Sequence, residues 1–331
     1  MKAMLLEEYG RDYLFAERDV PAPEPGPGEV LVRVAGSSLN PIDNKIATLG
    51  EALAFAPEPP ALLGMDASGV VEAVGPGVTR FREGDRVFGC PGGIKGMPGA
   101  LAEYVAADER LLARAPEHMD LADAGAVPLV AVTAWMALFD KAGLKPGERL
   151  LVHGGAGGVG HMAVQLAAHA GAEVFATVST PDKAAVVEAL GGTPIDYAEA
   201  GVDEYVRDCT GGEGFDAVFD TVGGTVLDNS FRAVRNNGRV VSTNTRSTHN
   251  LGPLHAGGLS LHVVFMLLPL LTGKGRERIG EILDRVAALV DEDALAVLLD
   301  EARFDFQDIA HAHRYWEEGR AMGKIGIAVA G

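Results

Sequence analysis

The sequence predicts an α/β protein in which a doubly wound parallel sheet is inserted into a β-rich domain. Short β-branched or alternating segments, such as Val30–Val34 and Gly69–Val74, fill the first third of the chain between turns rich in Gly and Pro. From residue 150 onward strands and helices alternate, which indicates βα units with right-handed crossovers. An apolar segment near the C-terminus, Ile325–Val329, has no helix after it and is expected to rejoin the first domain.

These patterns set the expected boundaries. The β-rich domain is predicted over residues 1–122 plus 268–331, and the sheet domain over 123–267. Strands of the parallel sheet are expected at 150–154, 173–178, 194–196, 216–222, 239–244 and 262–266. Helices outside this alternation are expected at 124–141, 275–290 and 308–319.

Composition excludes several classes of function. The 331 residues carry a net charge of -18, with 46 acidic residues against 28 basic ones, so nucleic acid is not an expected partner. The longest apolar run, Val263–Leu271, contains Pro269 and is too short to cross a membrane. Two cysteines and an N-terminus without an apolar segment predict a cytoplasmic protein with no disulfide framework.

The glycines at 155, 157 and 160 fit the G-x-G-x-x-G motif between the strand Leu150–Val152 and a helical pattern. The first glycine is expected to allow the tight turn, the second to let a pyrophosphate approach, and the third to let the helix pack against the strand. Free N–H groups at the helix start would face the phosphates. The motif predicts a dinucleotide site at Gly155, Ala156, Gly157, Gly158, Val159 and Gly160.

The end of the second strand of this unit predicts which dinucleotide binds. No carboxylate occupies the place where NAD-binding proteins accept the ribose hydroxyls. Ser179, Thr180 and Lys183 lie there instead, and a cation with hydroxyls suits a 2′-phosphate, so the predicted cofactor is NADPH. Alternatively, Thr180 only caps the next helix and Lys183 is solvated, and Asp182 accepts the ribose.

The chain resembles the zinc-free quinone oxidoreductase branch of the medium-chain dehydrogenase/reductase superfamily almost from end to end. The resemblance implies that the β-rich domain is GroES-like and that the sheet domain is a Rossmann domain. The matching segments are LNPIDNKIA at 39–47, GMDASGVVEAVGPGVTRFREGDRVFG at 64–89, LAEYVAAD at 101–108, VTAWMAL at 132–138, GGAGGVGHMAVQLA at 154–167, FDAVFDTVGG at 215–224, GRVVSTN at 238–244 and GKIGIAV at 323–329.

The chain departs from the zinc-dependent members of that superfamily at the zinc ligands. Those enzymes hold catalytic zinc with a cysteine and a His-Glu pair, whereas this chain has Asn40 at the first place and Met65-Asp66 at the second. A thioether and an amide do not replace imidazole and thiolate, so no metal is expected. Without a Lewis acid, the expected acceptors are quinones or α,β-unsaturated carbonyl compounds, which delocalise the incoming charge onto oxygen.

Further site residues follow from the resemblance or from the carboxyl edge of the sheet. Val222, Gly223, Thr243 and Asn244 end strands at the edge where ligands bind in open α/β sheets. The resemblance adds Asn40 beside the nicotinamide as the catalytic candidate, and Thr133, Tyr197, Phe265 and Lys324 as cofactor contacts. The alternatives are an Asn-Pro turn at Asn40, a helix threonine at Thr133, a buried Phe265 and a solvated Lys324.

The sequence thus predicts an NADPH-dependent, zinc-independent reductase of quinones or activated alkenes. The alternatives are an enoyl-thioester reductase of the same fold, and a non-catalytic NADPH-binding protein. Asp43, Lys45 and Asp66 are candidates for the proton donor by position only, and solvent is another. Residues 48–62 are expected to line an apolar substrate mouth, and the resemblance implies a homodimer, with strand 262–266 as the contact.

Overall fold

The structure, a computed structural model, describes residues 1–329. The N-terminal part consists of short strands and helices. They are β1 (Lys2–Leu6), β2 (Phe15–Asp19), β3 (Glu29–Leu39), α1 (Pro41–Leu49), β4 (Ala61–Leu62), β5 (Ala67–Val74), β6 (Arg86–Gly89), β7 (Tyr104–Asp108), β8 (Leu112–Arg114), α2 (Leu121–Ala124) and α3 (Pro128–Trp135).

The single helix expected over 124–141 is wrong, because the chain forms separate helices there. Helix α2 ends at Ala124, and α3 starts anew at Pro128, which has no N–H for an intrahelical bond and fits a first turn. A π-helical segment, Met136–Lys141, follows directly. Strand β7 begins at Tyr104, and Ala102 before it forms an isolated bridge with Ala3.

Strands and helices alternate in the middle of the chain. The elements are β9 (Arg149–His153), α4 (Gly158–His169), β10 (Glu173–Val178), α5 (Pro181–Ala189), β11 (Thr193–Asp196), α6 (Val202–Thr210), β12 (Phe215–Asp220), α7 (Thr225–Ala233), β13 (Val234–Ser242), α8 (Gly252–Gly257) and β14 (Ser260–Val263).

The C-terminal part consists of helices and two short strands. These are α9 (Leu268–Thr272), α10 (Arg276–Asp291), β15 (Phe304–Asp305), α11 (Ile309–Glu317) and β16 (Ile325–Ala328). Strand β16 pairs antiparallel with β3, with Ile325 opposite Leu39. The end of the chain therefore rejoins the N-terminal strands, as the sequence predicts.

The first domain contains two sheets. A seven-stranded sheet has the order β15-β16-β3-β5-β6-β8, with β7 also paired to β3, and a three-stranded sheet has the order β2-β1-β4. Strand β3 buries Val30, Val32 and Val34 at alternate positions, as expected of a strand with one face on the core. The continuation of β3 to Leu39 carries the chain to Asn40, where α1 begins.

The second domain contains one parallel sheet with the strand order β11-β10-β9-β12-β13-β14. Its central strands are apolar on both faces because helices cover both, so that Leu150, Leu151 and Val152 are all buried. An edge-on contact between the rings of Phe175 and Phe215, 5.4 Å between centroids, belongs to this core. The order reverses between β9 and β12, as in a doubly wound Rossmann sheet.

The chain divides into two compact units, Met1–Val132 with Leu267–Gly331 and Thr133–Met266. These boundaries differ from the predicted ones, because residues 123–132 and residue 267 belong to the first unit. Among the described residues, no helix combines the length and the apolar character needed to cross a bilayer.

Candidate active site

The glycine loop of the second unit joins the end of β9 to the start of α4. Gly154 has φ of +76°, so it makes the tight turn out of the strand that the sequence interpretation assigned to Gly155. That assignment is wrong. Gly155 is needed for a different reason, since a Cβ there would lie 2.5 Å from Cβ of Ala176 on the neighbouring strand β10.

The other two glycines have distinct surroundings. A Cβ at Gly160 would lie 2.0 Å from the carbonyl oxygen of Gly154, so this glycine lets α4 pack closely against the loop. Gly157 is the N-cap of α4, and a Cβ there would meet only the Gly154 oxygen, at 3.2 Å. The space outside Gly157 is open. The N–H groups of the first turn of α4 point into this space, so this helix N-terminus is suited to an anion.

The end of β12 lies beside the end of β9 at the reversal of strand order. Val222 is 48% exposed, and Gly223 has φ of +84° with no room for a Cβ, which would lie 2.5 Å from Nδ2 of Asn244. The Asn244 amide donates to the carbonyl oxygen of Val222 at 3.0 Å, and Thr243 N–H donates to the Asp220 carbonyl oxygen at 3.1 Å. The structure thus brings together the residues predicted at the ends of β12 and β13.

A buried carboxylate that the sequence analysis missed, Asp220, fixes this turn. One of its oxygens accepts from Val222 N–H at 2.9 Å and Gly223 N–H at 2.8 Å, and the other from the Ser242 hydroxyl at 2.7 Å. Asp220 has no exposed surface. A signal was available, because an acid at the end of an otherwise apolar strand before Gly-Gly is typical of a carboxylate that holds a turn.

His153 is a second buried polar residue at this edge. It ends β9 opposite Asp220, and its Nδ1 lies 3.3 Å from the Thr177 hydroxyl, which itself accepts from Gly154 N–H. Burial lowers the pKa of His153 to about 4, against a smaller opposing effect of Asp220, so the imidazole is neutral at physiological pH. His153 therefore adds a neutral ring, and no charge, beside the glycine loop.

The end of β10 has the hydroxyls and the cation that the sequence predicts. Lys183 Nζ donates to the Ser179 hydroxyl at 3.3 Å. Thr180 caps α5 by accepting from the Lys183 backbone N–H at 3.3 Å, as the alternative interpretation expected. Tyr197 follows β11 with 59% of its surface exposed, and its N–H donates to the Val178 carbonyl oxygen at the end of β10.

The two remaining predicted residues of the second unit lie at its ends. Thr133 is buried in α3, whereas Phe265 follows β14 and is 43% exposed. The alternative that burial alone explains Phe265 is therefore wrong.

The first unit holds a buried cluster of polar side chains, which we call the polar cluster: Ser38, Asn40, Asp43, Asp66, Cys90 and Lys324. Antiparallel pairing builds it, since the register of β16 on β3 sets Lys324 across from Asn40. Lys324 Nζ donates to Asn40 Oδ1 at 2.6 Å and to the Leu39 carbonyl oxygen at 3.0 Å. Lys324 is 2% exposed, so the solvated alternative is wrong.

Asp66 is the acceptor at the centre of the polar cluster. Its Oδ2 accepts from the Ser38 hydroxyl at 2.6 Å and from Asn40 Nδ2 at 2.8 Å, and it lies 3.6 Å from Lys324 Nζ. Its Oδ1 accepts from the Leu129 backbone N–H at 2.8 Å. A carboxylate with this many donors is held in one orientation.

Asp43 has the opposite environment. Its Oδ2 accepts from Asn40 N–H at the start of α1, while its Oδ1 is buried with no hydrogen-bond partner among the described residues. Burial, with the nearby charge of Asp66, raises the pKa of Asp43 to about 7. Burial also raises the pKa of Cys90 and lowers that of Lys324. The polar cluster thus contains one carboxyl group, that of Asp43, whose pKa lies close to neutral pH.

The residues at the expected zinc positions do not form a set of metal ligands. Asn40 is bonded to Lys324 and Asp66, and the thioether of Met65 is fully buried in the core. Within residues 1–329, no group of three or more His, Cys, Asp or Glu side chains is arranged to hold a metal ion.

Two families match this chain. Residues 26–117 match the alcohol dehydrogenase GroES-like domain, and residues 158–285 match the zinc-binding dehydrogenase family. A solved structure of an alcohol dehydrogenase superfamily protein from Novosphingobium aromaticivorans is 42% identical, covers all of both chains and superposes with a TM-score of 0.95. The chain belongs to the medium-chain dehydrogenase/reductase superfamily. Its fold is the one that the sequence predicts, a Rossmann sheet inserted in a GroES-like domain.

Several members of this superfamily are similar over most of the chain. A 2-methylene-furan-3-one reductase of Solanum lycopersicum is 32% identical over 99% of this chain and 79% of its own length. A chloroplastic NADPH-dependent alkenal/one oxidoreductase of Arabidopsis thaliana is 30% identical over 98% and 78%. The polyketide synthase component PikAII of Streptomyces venezuelae is 39% identical over 92% of this chain, which spans only 8% of that synthase.

Solved structures with stated activities also superpose well. A quinone oxidoreductase of Pseudomonas syringae is 31% identical, covers 99% of both chains and has a TM-score of 0.86. The CurK enoyl reductase is 26% identical, covers 99% of this chain and 98% of its own, and has a TM-score of 0.85. The superfamily to which this chain belongs is thus one of oxidoreductases.

Proposed function

We propose that this protein is an NADPH-dependent reductase of activated alkenes, such as enones and enals, or of quinones. The polar cluster carries the proposal. Asn40 and Asp66 stand at positions where zinc-dependent relatives hold their metal, and here the amide and the carboxylate are bonded to each other and to the ammonium of Lys324. A donor set of this chemistry does not bind zinc, so the acceptor must delocalise the incoming charge itself.

The glycine loop fits the pyrophosphate of the cofactor. Gly157 leaves open space at the N-terminus of α4, where backbone N–H groups and the helix dipole favour an anion. When bound, NADPH supplies the hydride. The bound cofactor would then also border Val222, Gly223, Thr243 and Asn244, which the sequence predicts at the carboxyl edge of the sheet.

Ser179 and Lys183 support NADPH over NADH. Their side chains contact each other at the end of β10, so a hydroxyl and an ammonium are presented together where a 2′-phosphate would lie. Tyr197 is exposed on the neighbouring strand end and is proposed to contact the adenosine phosphate. Asp182 is also exposed, and as a ribose acceptor it would favour NADH instead.

The cofactor preference is tested by Lys183→Ala. The variant should bind NADPH about tenfold or more weakly, because it loses a charge-assisted contact, and should bind NADH almost normally. Lys145→Ala, at an exposed lysine of the same unit, is the control. Equal losses for the two dinucleotides would rule out the 2′-phosphate site.

Asn40 is the residue of the first unit that we propose to face the nicotinamide and to orient the acceptor. Its amide has a fixed orientation because Lys324 binds the oxygen and Asp66 binds the nitrogen. Among the proton-donor candidates, Asp66 already accepts hydrogen bonds on both oxygens, whereas Asp43 retains a proton up to a pH of about 7. Asp43 is therefore the acid that we propose.

The reaction is tested by following NADPH oxidation over a panel of quinones, enones, enals, 2-haloacrylates and enoyl thioesters. Zinc content is measured on the same sample. Turnover of conjugated acceptors by zinc-free protein is the expected result. Tightly bound stoichiometric zinc would contradict the mechanism, and NADPH binding without turnover of any acceptor would favour a non-catalytic NADPH-binding protein.

An enoyl-thioester reductase is the second candidate. The match to a polyketide synthase component over 92% of this chain and the likeness to the CurK enoyl reductase favour it. Against it, the sequence shows no cluster of basic residues that would bind a carrier phosphate. Faster turnover of enoyl thioesters than of the matching free enones would decide for this candidate.

We propose a homodimer formed through the edge strand β14. This strand ends the sheet with free backbone groups on one side, and Val263 and Phe265 near its end are 46% and 43% exposed. Light scattering of the protein and of Val263→Lys tests this contact, and a monomeric unsubstituted protein would contradict it.

A further inference from the structure

Three side chains of the second unit form a chain of hydrogen bonds outside the predicted cofactor residues. Asp228 lies on α7, and Ser247 and His249 lie in the loop after β13. The Ser247 hydroxyl is 2.6 Å from His249 Nε2, and His249 Nδ1 is 2.9 Å from Asp228 Oδ1. The order is hydroxyl, imidazole and carboxylate, with each nitrogen of the ring bonded to a different partner.

This order defines the tautomer of the imidazole. A carboxylate can only accept, so Nδ1 carries the hydrogen and donates to Asp228. The lone pair of Nε2 then faces the Ser247 hydroxyl, which donates to it. A serine in this arrangement can lose its proton to the histidine as it attacks a carbonyl carbon.

The packing holds the histidine and leaves the serine accessible. The His249 side chain is 8% exposed and meets the ring of Phe231 edge-on, with 6.3 Å between centroids. Phe231 and Leu227 anchor α7 in the core of the unit, so Asp228 stands on a fixed helix. Ser247 itself is exposed. The base is therefore positioned by the fold, and a substrate can reach the nucleophile from solvent.

We propose that Ser247, His249 and Asp228 form an esterase site for small esters with good leaving groups. Ser247 Oγ forms a bond to the acyl carbon as the bond to the leaving oxygen breaks, and the serine proton passes through His249 to that oxygen. Water, deprotonated by His249, then releases the carboxylic acid and restores Ser247. The backbone N–H of Thr248, next to the nucleophile, has no acceptor in the described part of the chain and can donate to the oxyanion.

The site is independent of the reductase activity, because its three residues are none of the cofactor or polar-cluster residues. No hydride or metal takes part in it. The substrate class follows from the exposed serine, which small acyl groups can reach directly from solvent.

The test is hydrolysis of p-nitrophenyl acetate by the full chain without NADPH, corrected for the rate in buffer. Ser247→Ala and His249→Gln should each lower the rate about 100-fold, and Asp228→Asn about tenfold, since that carboxylate is half exposed. The control is His255→Gln, at an exposed residue of the same unit. Unfolding temperatures of all variants verify that each is folded.

A fluorophosphonate probe with mass-spectrometric mapping of the adduct gives a second readout. We expect the probe on Ser247, and loss of labelling in His249→Gln. A hydrolysis rate that Ser247→Ala leaves unchanged would overturn the esterase site. So would a probe that labels another residue, or one that labels Ser247 equally in His249→Gln.

Discussion

The glycine loop of the second unit and the polar cluster of the first are built from different chemical groups. The loop presents backbone N–H groups and depends on missing side chains, as at Gly155 and Gly160. The polar cluster depends on charged side chains that are all buried, above all Asp66 and Lys324. The loop should therefore be sensitive to added volume, and the polar cluster to lost charge.

Removing the cation of the polar cluster should have the largest effect. Lys324→Met leaves the buried Asp66 carboxylate without its ion-pair partner, and we expect a loss of about 3–5 kcal/mol in the free energy of unfolding. Urea denaturation measures it, with exposed Lys145→Met as the control. Asp66→Asn in the same chain should restore part of the loss. A loss of unfolding free energy no larger than that of the control would mean that the Lys324–Asp66 ion pair does not determine the stability of the polar cluster.

Two serines allow the buried carboxylates of the two units to be compared directly. Ser242 donates to Asp220 Oδ2 and Ser38 to Asp66 Oδ2, at 2.7 and 2.6 Å. Ser242→Ala leaves its oxygen without another donor from the described residues and should cost about 1.5–3 kcal/mol. Ser38→Ala should cost less, because Asn40 still donates to the same oxygen. Thermal unfolding compares the two, and the reverse order would refute this account of Asp66.

Added volume should separate two glycines of the loop. Gly160→Ala places a Cβ 2.0 Å from the Gly154 oxygen and should destabilise the protein by about 1–3 kcal/mol. Gly157→Ala meets that oxygen at 3.2 Å, so stability should stay within about 0.5 kcal/mol while NADPH binding weakens. Thermal unfolding and fluorescence titration with NADPH measure the two effects. Unchanged NADPH affinity in Gly157→Ala would show that the pyrophosphate does not bind at this position.

The last prediction concerns the pH dependence of stability. The pKa of Asp43 is raised from 3.8 to about 7 on folding, so its contribution to stability is lost as pH rises from about 4 to about 7. Asp43→Asn should remove this loss, which is at most about 1.4 kcal/mol per pH unit. The opposite slope remains, since burial lowers the pKa of His153 to about 4 and that of His313, a buried residue of α11, to about 3, so both destabilise the fold as pH falls below 6.5. Urea denaturation at a series of pH values measures both slopes. If the free energy of unfolding depends on pH identically in the unsubstituted protein and in Asp43→Asn, the raised pKa of Asp43 is contradicted.

The local parts of this protein were predictable from the sequence. A glycine pattern, a strand before it and a helix after it lie within about twenty residues, so the loop between β9 and α4 depends on neighbours in the chain. The alternation of strands and helices predicted the parallel sheet for the same reason. The error at Gly155 was also local, because the motif does not show which of two adjacent glycines takes the positive φ.

The tertiary structure alone decided the polar cluster. Asn40 and Lys324 are 284 positions apart, and only the antiparallel pairing of β16 with β3 sets the ammonium against the amide. Sequence patterns show which residues are buried, but not which buried charged side chains contact one another. Desolvation then gives Asp43 its proton, while hydrogen bonds hold Asp66 in the orientation found here. The sequence by itself determined the dinucleotide loop and the sheet that carries it, because both rest on short-range geometry.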